Sequence, residues 1–131
     1  MNLLVIGSAE QAEECTRKFG ETHEWHVCSD VHNAHREIRQ AEVIFDFVTD
    51  QLKDYPRGLS AVIFLDTSAA RLSTLMEPSP HYHGRTFGFC GLPTLINREV
   101  LEVSRLADSH EDLLSAVCKQ LGTSYEVVAD Q

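Results

Sequence analysis

The sequence predicts an α/β domain built on a mainly parallel sheet with helices on both faces. Three observations carry this. Short apolar runs recur along the chain and alternate with helical periodicity. The first run, NLLVI, is apolar on both faces and stops at a glycine, as a buried parallel strand does. No repeat, low-complexity tract or linker interrupts the pattern, and 131 residues suit one domain.

The elements follow in order. Residues 2–6 form the first strand, ending at Gly7. Residues 9–19 form a helix with Ala9, Ala12, Cys15 and Phe19 near one face and Gly20 as its stop. Residues 25–29 (WHVCS) are a second strand ending at Asp30. A helix over about residues 31–40 turns Val31, Ala34 and Ile38 inward. Residues 42–48 (EVIFDFV) and 61–65 (AVIFL) are the next two strands, separated by a loop marked by Tyr55, Pro56 and Gly58. Residues 69–76 read as a helix that Pro78 and Pro80 end. Strands are predicted at 86–90 and 100–103. Ser109, with Asp112 three residues on, predicts an N-cap for a helix striped by Leu113, Leu114, Val117 and Leu121 and stopped by Gly122. Residues 125–129 close the chain as a strand.

Composition narrows the partners. Twenty acids against 11 bases give a net charge of −9, which repels nucleic acid and anionic membrane alike. Neither is expected to bind. The opening MNLLVIGS has no basic segment ahead of an apolar stretch, so neither a secretory signal nor a membrane span is expected. The four cysteines form no CxxC pair and fit no zinc spacing, and Cys15 and Cys118 fall at apolar helical positions. These features point to a reduced, cytoplasmic protein. His32 and His35, and His81 and His83, each supply two imidazoles without an evident third ligand, so no metal is expected.

The turn after the first strand is Gly7-Ser8-Ala9-Glu10-Gln11-Ala12, and Asp30 ends the second strand. A GxGxxG turn with an acid about 20 residues on is the dinucleotide fingerprint: backbone N–H groups approach the pyrophosphate, and the acid holds a ribose. Residues 41–50 (AEVIFDFVTD), 61–68 (AVIFLDTS), 87–103 (FGFCGLPTLINREVLEV) and 113–130 (LLSAVCKQLGTSYEVVAD) resemble, in order, the segments ADLVIEAVxED, AILASNTS, xGLHFFNPVPxMKLVEV and KxxGKxPVVVKD of the 3-hydroxyacyl-CoA dehydrogenases. The resemblance spans nearly the whole chain. It implies a Rossmann-type NAD-binding domain, without the helical domain that in the family follows, binds the acyl chain and dimerises. The family's helical insertion between its second and third strands has no counterpart here.

The resemblance also assigns residues. NAD would meet Gly7, Ser8, Ala9 and Ala12 at the phosphate turn, Asp30 at the adenosine ribose and Asp46 near the nicotinamide ribose. The match departs from the family at the second glycine, which is Ala9, and Glu10, Glu13 and Glu14 crowd the helix start. Those acids oppose a diphosphate or simply favour the helix dipole. Asp30 can equally cap the next helix, and Asp46 can be a capped strand-end acid. The family's catalytic histidine falls at Cys90, and the glutamate that orients it falls at Glu102. A thiol is a poor general base in that place, and a small buried thiol is the competing reading. Leu65 replaces the family's serine and Pro93 its asparagine, while Asp66, Thr67 and Ser68 keep polar character where such folds bind ligands. The resemblance therefore implies a dinucleotide-binding protein with little or no dehydrogenase turnover. The alternatives are a scaffold that binds no NAD, or half of an oxidoreductase completed by a separate helical partner. If the surface around Leu92, Leu95 and Ile96 lies uncovered, a homodimer is the simplest way to bury it.

Overall fold

The computed structural model describes residues 1–78, 80–91 and 95–130, and at Pro80, His81 and His83 the backbone only. Leu92 and Pro93 lie outside the described residues. Seven strands form one sheet: β1 (Asn2–Ile6), β2 (Glu24–Cys28), β3 (Val43–Asp46), β4 (Val62–Asp66), β5 (Thr86–Phe89), β6 (Val100–Ser104) and β7 (Ser124–Val127). Their order is β2-β1-β3-β4-β5-β6-β7. All neighbours are parallel except β5 and β6. The order in which successive strands are added reverses between β1 and β3. That switch point opens a crevice at the carboxyl ends of the strands.

Side chains alternate along each strand and so divide the core in two. Leu3, Val5, Val43, Phe45, Val62 and Phe64 face α1 (Ala9–Phe19) and α4 (Glu111–Leu121). Leu4, Ile6, Ile44, Ile63 and Leu65 face α2 (His35–Gln40) and α3 (Leu72–Met76). Helices thus cover both faces, as predicted. Phe45 centres the first layer, stacked on Phe19 at 4.9 Å and Phe64 at 5.2 Å and met edge-on by Phe89 at 5.8 Å. Cys15 and Cys118 belong to the same layer. Burial pushes both thiols up, that of Cys118 to about 11.

Local chemistry shifts several predicted boundaries. The helix expected from residue 31 begins only at His35. The Asp30 carboxylate accepts from the Asn33 N–H at 2.9 Å and holds residues 31–33 in a turn, although Val31, Ala34 and Ile38 are buried as expected. Ser109 does not cap α4. Its hydroxyl donates to the Leu106 carbonyl at 2.8 Å and accepts from Arg105 Nε at 2.9 Å, leaving His110 as a cap with no side-chain bond. The helix after β4 starts at Leu72 rather than 69. Leu95, expected at an exposed surface, is fully buried against α1, whereas Ile96 is exposed. Among the described residues no helix is long and apolar enough to cross a membrane.

Candidate functional site at the carboxyl edge of the sheet

The carboxyl edge has two halves. The first is the β1–β3 crevice. Gly7 leaves β1 by donating its N–H to the Cys28 carbonyl at 2.8 Å. Ser8 then caps α1 in extended conformation. Its hydroxyl accepts the Gln11 N–H at 3.1 Å, and the Gln11 side-chain carbonyl accepts the Ser8 N–H at 2.9 Å. This reciprocal capping box satisfies two donors that a bound phosphate would otherwise take. The Gln11 amide lies over Gly7: a Cβ at residue 7 would stand 2.3 Å from Gln11 Oε1 and 3.2 Å from Phe47 Cβ. The Phe47 ring reaches on toward β5, where a Cβ at Gly91 would meet it at 3.3 Å, and it packs edge-on to Phe89 at 5.2 Å. Gln11 and Phe47 thus occupy the mouth of the crevice. Ala9 and Ala12 lie in the first turn of α1 behind them. Glu10 is exposed, Glu13 pairs with Arg17, and Glu14 accepts the Leu95 N–H.

The two acids flanking this half differ. Asp30 is half-exposed at the end of β2 and, among the described residues, is bound only to Asn33 N–H and to its side-chain amide at 3.2 Å, so it retains acceptor capacity toward solvent. Asp46 is fully buried. One of its oxygens accepts from the Val48 and Thr49 N–H groups at 2.8 and 2.9 Å, and the other accepts from Tyr55 OH at 2.7 Å. Burial raises its carboxyl above the usual range, against the pull of those three hydrogen bonds. The same turn holds Thr49 at φ +66°, a left-handed conformation that a threonine rarely adopts.

The second half lies between β5, β6 and the chain after β7. Thr67, Cys90, Glu102, Ser104, Val128 and Ala129 line a cleft of about 300 Å³ there. The antiparallel β5–β6 register pairs Gly88 with Ser104 and Phe89 with Val103, and so brings Cys90 and Glu102 together from either side. Arg98 stands between them. One guanidinium nitrogen lies 3.8 Å from Cys90 Sγ, and another lies 3.4 Å from a Glu102 carboxylate oxygen. Gly88 makes room for the cleft floor, since a Cβ there would come 2.2 Å from Ser104 Oγ and 2.6 Å from Thr67 Cγ2. Asp66, at the end of β4, accepts from Ser68 N–H and hydroxyl at 3.1 and 2.6 Å and from Gly91 N–H at 3.3 Å. It does not cap α3. Asp130 does, accepting from Leu72 and Ser73 N–H at 2.6 and 2.9 Å, and so fixes residues 128–130 along the cleft.

Leu65, at the family's serine position, is fully buried. His32 and His35 both turn to Asp54, at its carboxylate (3.6 Å) and its carbonyl (3.1 Å). Among the described residues no group of three His, Cys, Asp or Glu converges on a metal-sized site. Sequence reasoning passed over Gln11, Phe47, Arg98 and Ser104. Only Gln11 had a strong local signal, the S-x-x-Q of a capping box.

No family model and no curated protein matches the chain. Solved structures do. A 3-hydroxyacyl-CoA dehydrogenase from Archaeoglobus fulgidus superposes with a TM-score of 0.76 at 15% identity, over 100% of this chain and 57% of that one. The (S)-3-hydroxybutyryl-CoA dehydrogenase PaaH1 from Ralstonia eutropha gives 0.70 at 12% identity, over 98% and 63%. A third, a pyridine carboxylic acid 5-dehydrogenase described as an NAD+ dependent dismutase, gives 0.69 at 12%, over 99% and 58%. The chain spans less than two thirds of the length of each of these proteins. Over its own length it takes the Rossmann-type α/β fold found in these 3-hydroxyacyl-CoA dehydrogenases.

Proposed function

We propose that the chain is a dinucleotide-binding module of dehydrogenase type that oxidises little or no 3-hydroxyacyl-CoA by itself. The observation that carries this reading is the Cys90–Arg98–Glu102 arrangement. Hydroxyl oxidation with hydride transfer needs a general base beside the substrate hydroxyl, kept in position by a carboxylate. Here Glu102 is spent on a guanidinium, and the residue opposite it is a thiol beside that same guanidinium. Dinucleotide binding is supported by the fold, by Gly7 at the carboxyl end of β1 and by the solvent-facing Asp30 at the end of β2, which favours NAD over NADP. A thermal-shift titration with NAD, NADH and NADP tests the binding. Ligand at 100 times its dissociation constant should add about 2.7 kcal/mol, and Asp30→Ala should reduce the NAD response. Following NADH formation from NAD and a 3-hydroxyacyl-CoA tests the chemistry, and robust turnover by the unmodified chain would overturn the proposal.

A second reading rests on Gln11 and Phe47. Those side chains lie over Gly7 and both Asp46 oxygens are engaged inside the fold, which supports a crevice that takes up no dinucleotide. The module would then keep the fold as a scaffold for a protein partner, either a second copy or a separate helical chain. No response to any of the three nucleotides, with the fold intact, would favour it.

A further inference from the structure

The opposite edge of the sheet holds a cleft that neither reading uses. The loop before β4 brings Arg57, Gly58 and Leu59 beside Tyr82 and Arg85, the residue that leads into β5. Because β4 and β5 are neighbours, both arginines come to the same cleft at the amino ends of adjacent strands. They line one cleft of about 350 Å³. Arg57 is exposed and Arg85 half-exposed, and among the described residues neither guanidinium has a carboxylate within ion-pair distance. In a chain with 20 acids, two cations share one cleft and neither is ion-paired among the described residues.

One wall is held in place by the fold. Tyr82 is buried, donates its hydroxyl to the Pro56 carbonyl and packs on Tyr55 at 6.2 Å between ring centres. Burial raises the Tyr82 phenol while the Arg57 charge pulls it down, which places that charge against this wall. Gly58 turns at φ +76° with nothing within 4 Å of where a Cβ would be, so the mouth stays open. Two like charges lining one cleft repel until an anion lies between them. Guanidinium forks match phosphate oxygens in pairs, and a phosphomonoester near neutral pH carries close to two negative charges where a carboxylate carries one.

We propose that Arg57 and Arg85 form a binding site for a phosphate dianion, free or as the phosphate group of a small ester. The site is separate from the carboxyl-edge crevice and independent of NAD.

The test is an amide NMR titration of the whole chain with inorganic phosphate at constant ionic strength, repeated with glycerol 3-phosphate and with malonate. Saturable shifts are expected at Gly58, Leu59, Tyr82 and Gly84. Arg57→Gln and Arg85→Gln should each weaken phosphate about tenfold, equivalent to about 1.4 kcal/mol. Arg57→Lys, which keeps the charge but loses the fork, should fall between. Neither arginine makes an ion pair within the described fold, so these variants should fold, and Arg57→Lys remains informative if Arg85→Gln does not. Tighter binding of the ester than of free phosphate would identify the ester as the source, and the reverse would identify the free ion. Shifts that do not saturate, that survive both glutamine variants, or that centre on Gly7 to Gln11 would overturn the proposal, as would malonate binding as tightly as phosphate.

Discussion

The two halves of the carboxyl edge were built to different ends. The β1–β3 half is closed by its own side chains: the Gln11 amide and the Phe47 ring over Gly7, and Asp46 turned inward on Tyr55. The β5–β6 half is open, with a thiol, a carboxylate, a guanidinium and two hydroxyls around about 300 Å³. In a dinucleotide fold the crevice at the switch point is where the cofactor lies. Here the backbone that would cradle it is kept, while Ser8 and Asp46 are satisfied internally and Asp30 alone of the assigned polar groups still faces solvent. A fold of this kind therefore constrains where a ligand can sit without fixing whether one does.

The sharpest way to break the closed half is at Asp46. Asp46→Leu leaves the buried Tyr55 hydroxyl and two turn N–H groups without their acceptor, and should cost about 3 kcal/mol in urea unfolding. Asp46→Asn keeps an acceptor and should cost far less. The pH dependence separates charge from hydrogen bonding. Burial, more than its neighbour Asp50, raises the Asp46 carboxyl above its usual 3.8, against the hydrogen bonds from Thr49, Tyr55 and Val48. Between 3.8 and that raised value the folded chain binds more protons than the unfolded chain, so acid favours folding there. The wild type should gain stability relative to Asp46→Asn as pH falls from 7 toward 3.8, and a difference that stays flat would mean the carboxyl is not perturbed.

Phe47 is the next test. The resembling dehydrogenase segment has alanine in its place. Phe47→Ala removes a half-buried ring and its edge contact with Phe89, and should cost about 2 kcal/mol, roughly half the loss of a fully buried phenylalanine. Together with Gln11→Ala it should uncover Gly7 and enlarge the NAD thermal shift over that of the parent. An unchanged shift in the double variant would mean that something other than these two side chains limits binding.

How far these features could be read from the sequence depended on how local their causes were. The strand at Asn2–Ile6 and helix Ala9–Phe19 came out at their predicted bounds because an unbroken apolar run, a helical stripe and two glycines define them within a few residues. The start of α2 was read too early because Asp30 can serve either a helix or a turn, and Asn33 decides for the turn. Ser109 has the right type and spacing for a cap, but Arg105 and the Leu106 carbonyl claim its hydroxyl. Cys90 and Glu102 were paired by resemblance alone. Their meeting across the antiparallel β5–β6 register, with Arg98 between, is a fact of strand direction that periodicity does not carry. The cap on α3 comes from Asp130, nearly 60 residues away.

That long-range cap belongs to the open half. Asp130→Ala should cost about 1 kcal/mol, as loss of an N-cap does. Burial alone would raise the Asp130 carboxyl, but hydrogen bonds from Ser73 and Leu72 and the charge of Arg71 together hold it below its usual range. Its contribution should therefore be complete above 3.8 and fade only as pH falls through the lower folded value. A variant penalty that is the same at pH 3 as at pH 7 would show that the cap acts without its charge.

The smallest effect is expected where the resemblance is most tempting. Cys90→His restores the imidazole of the family motif opposite Glu102. A histidine base needs its partner carboxylate free to orient it, and Glu102 lies 3.4 Å from Arg98 instead. The new imidazole would also stand beside that guanidinium, whose charge disfavours the proton it must accept. Leu65 remains buried at the serine position, so the substrate oxygen gains no hydroxyl from β4. A positioned general base is worth about 10² to 10⁴ in rate, and an imidazole alone in this cleft recovers little of it. NADH formation from NAD and a 3-hydroxyacyl-CoA should stay at background in Cys90→His. If the single substitution produces turnover, the open half is a working active site short of one residue, and Arg98 is not the obstacle proposed for it.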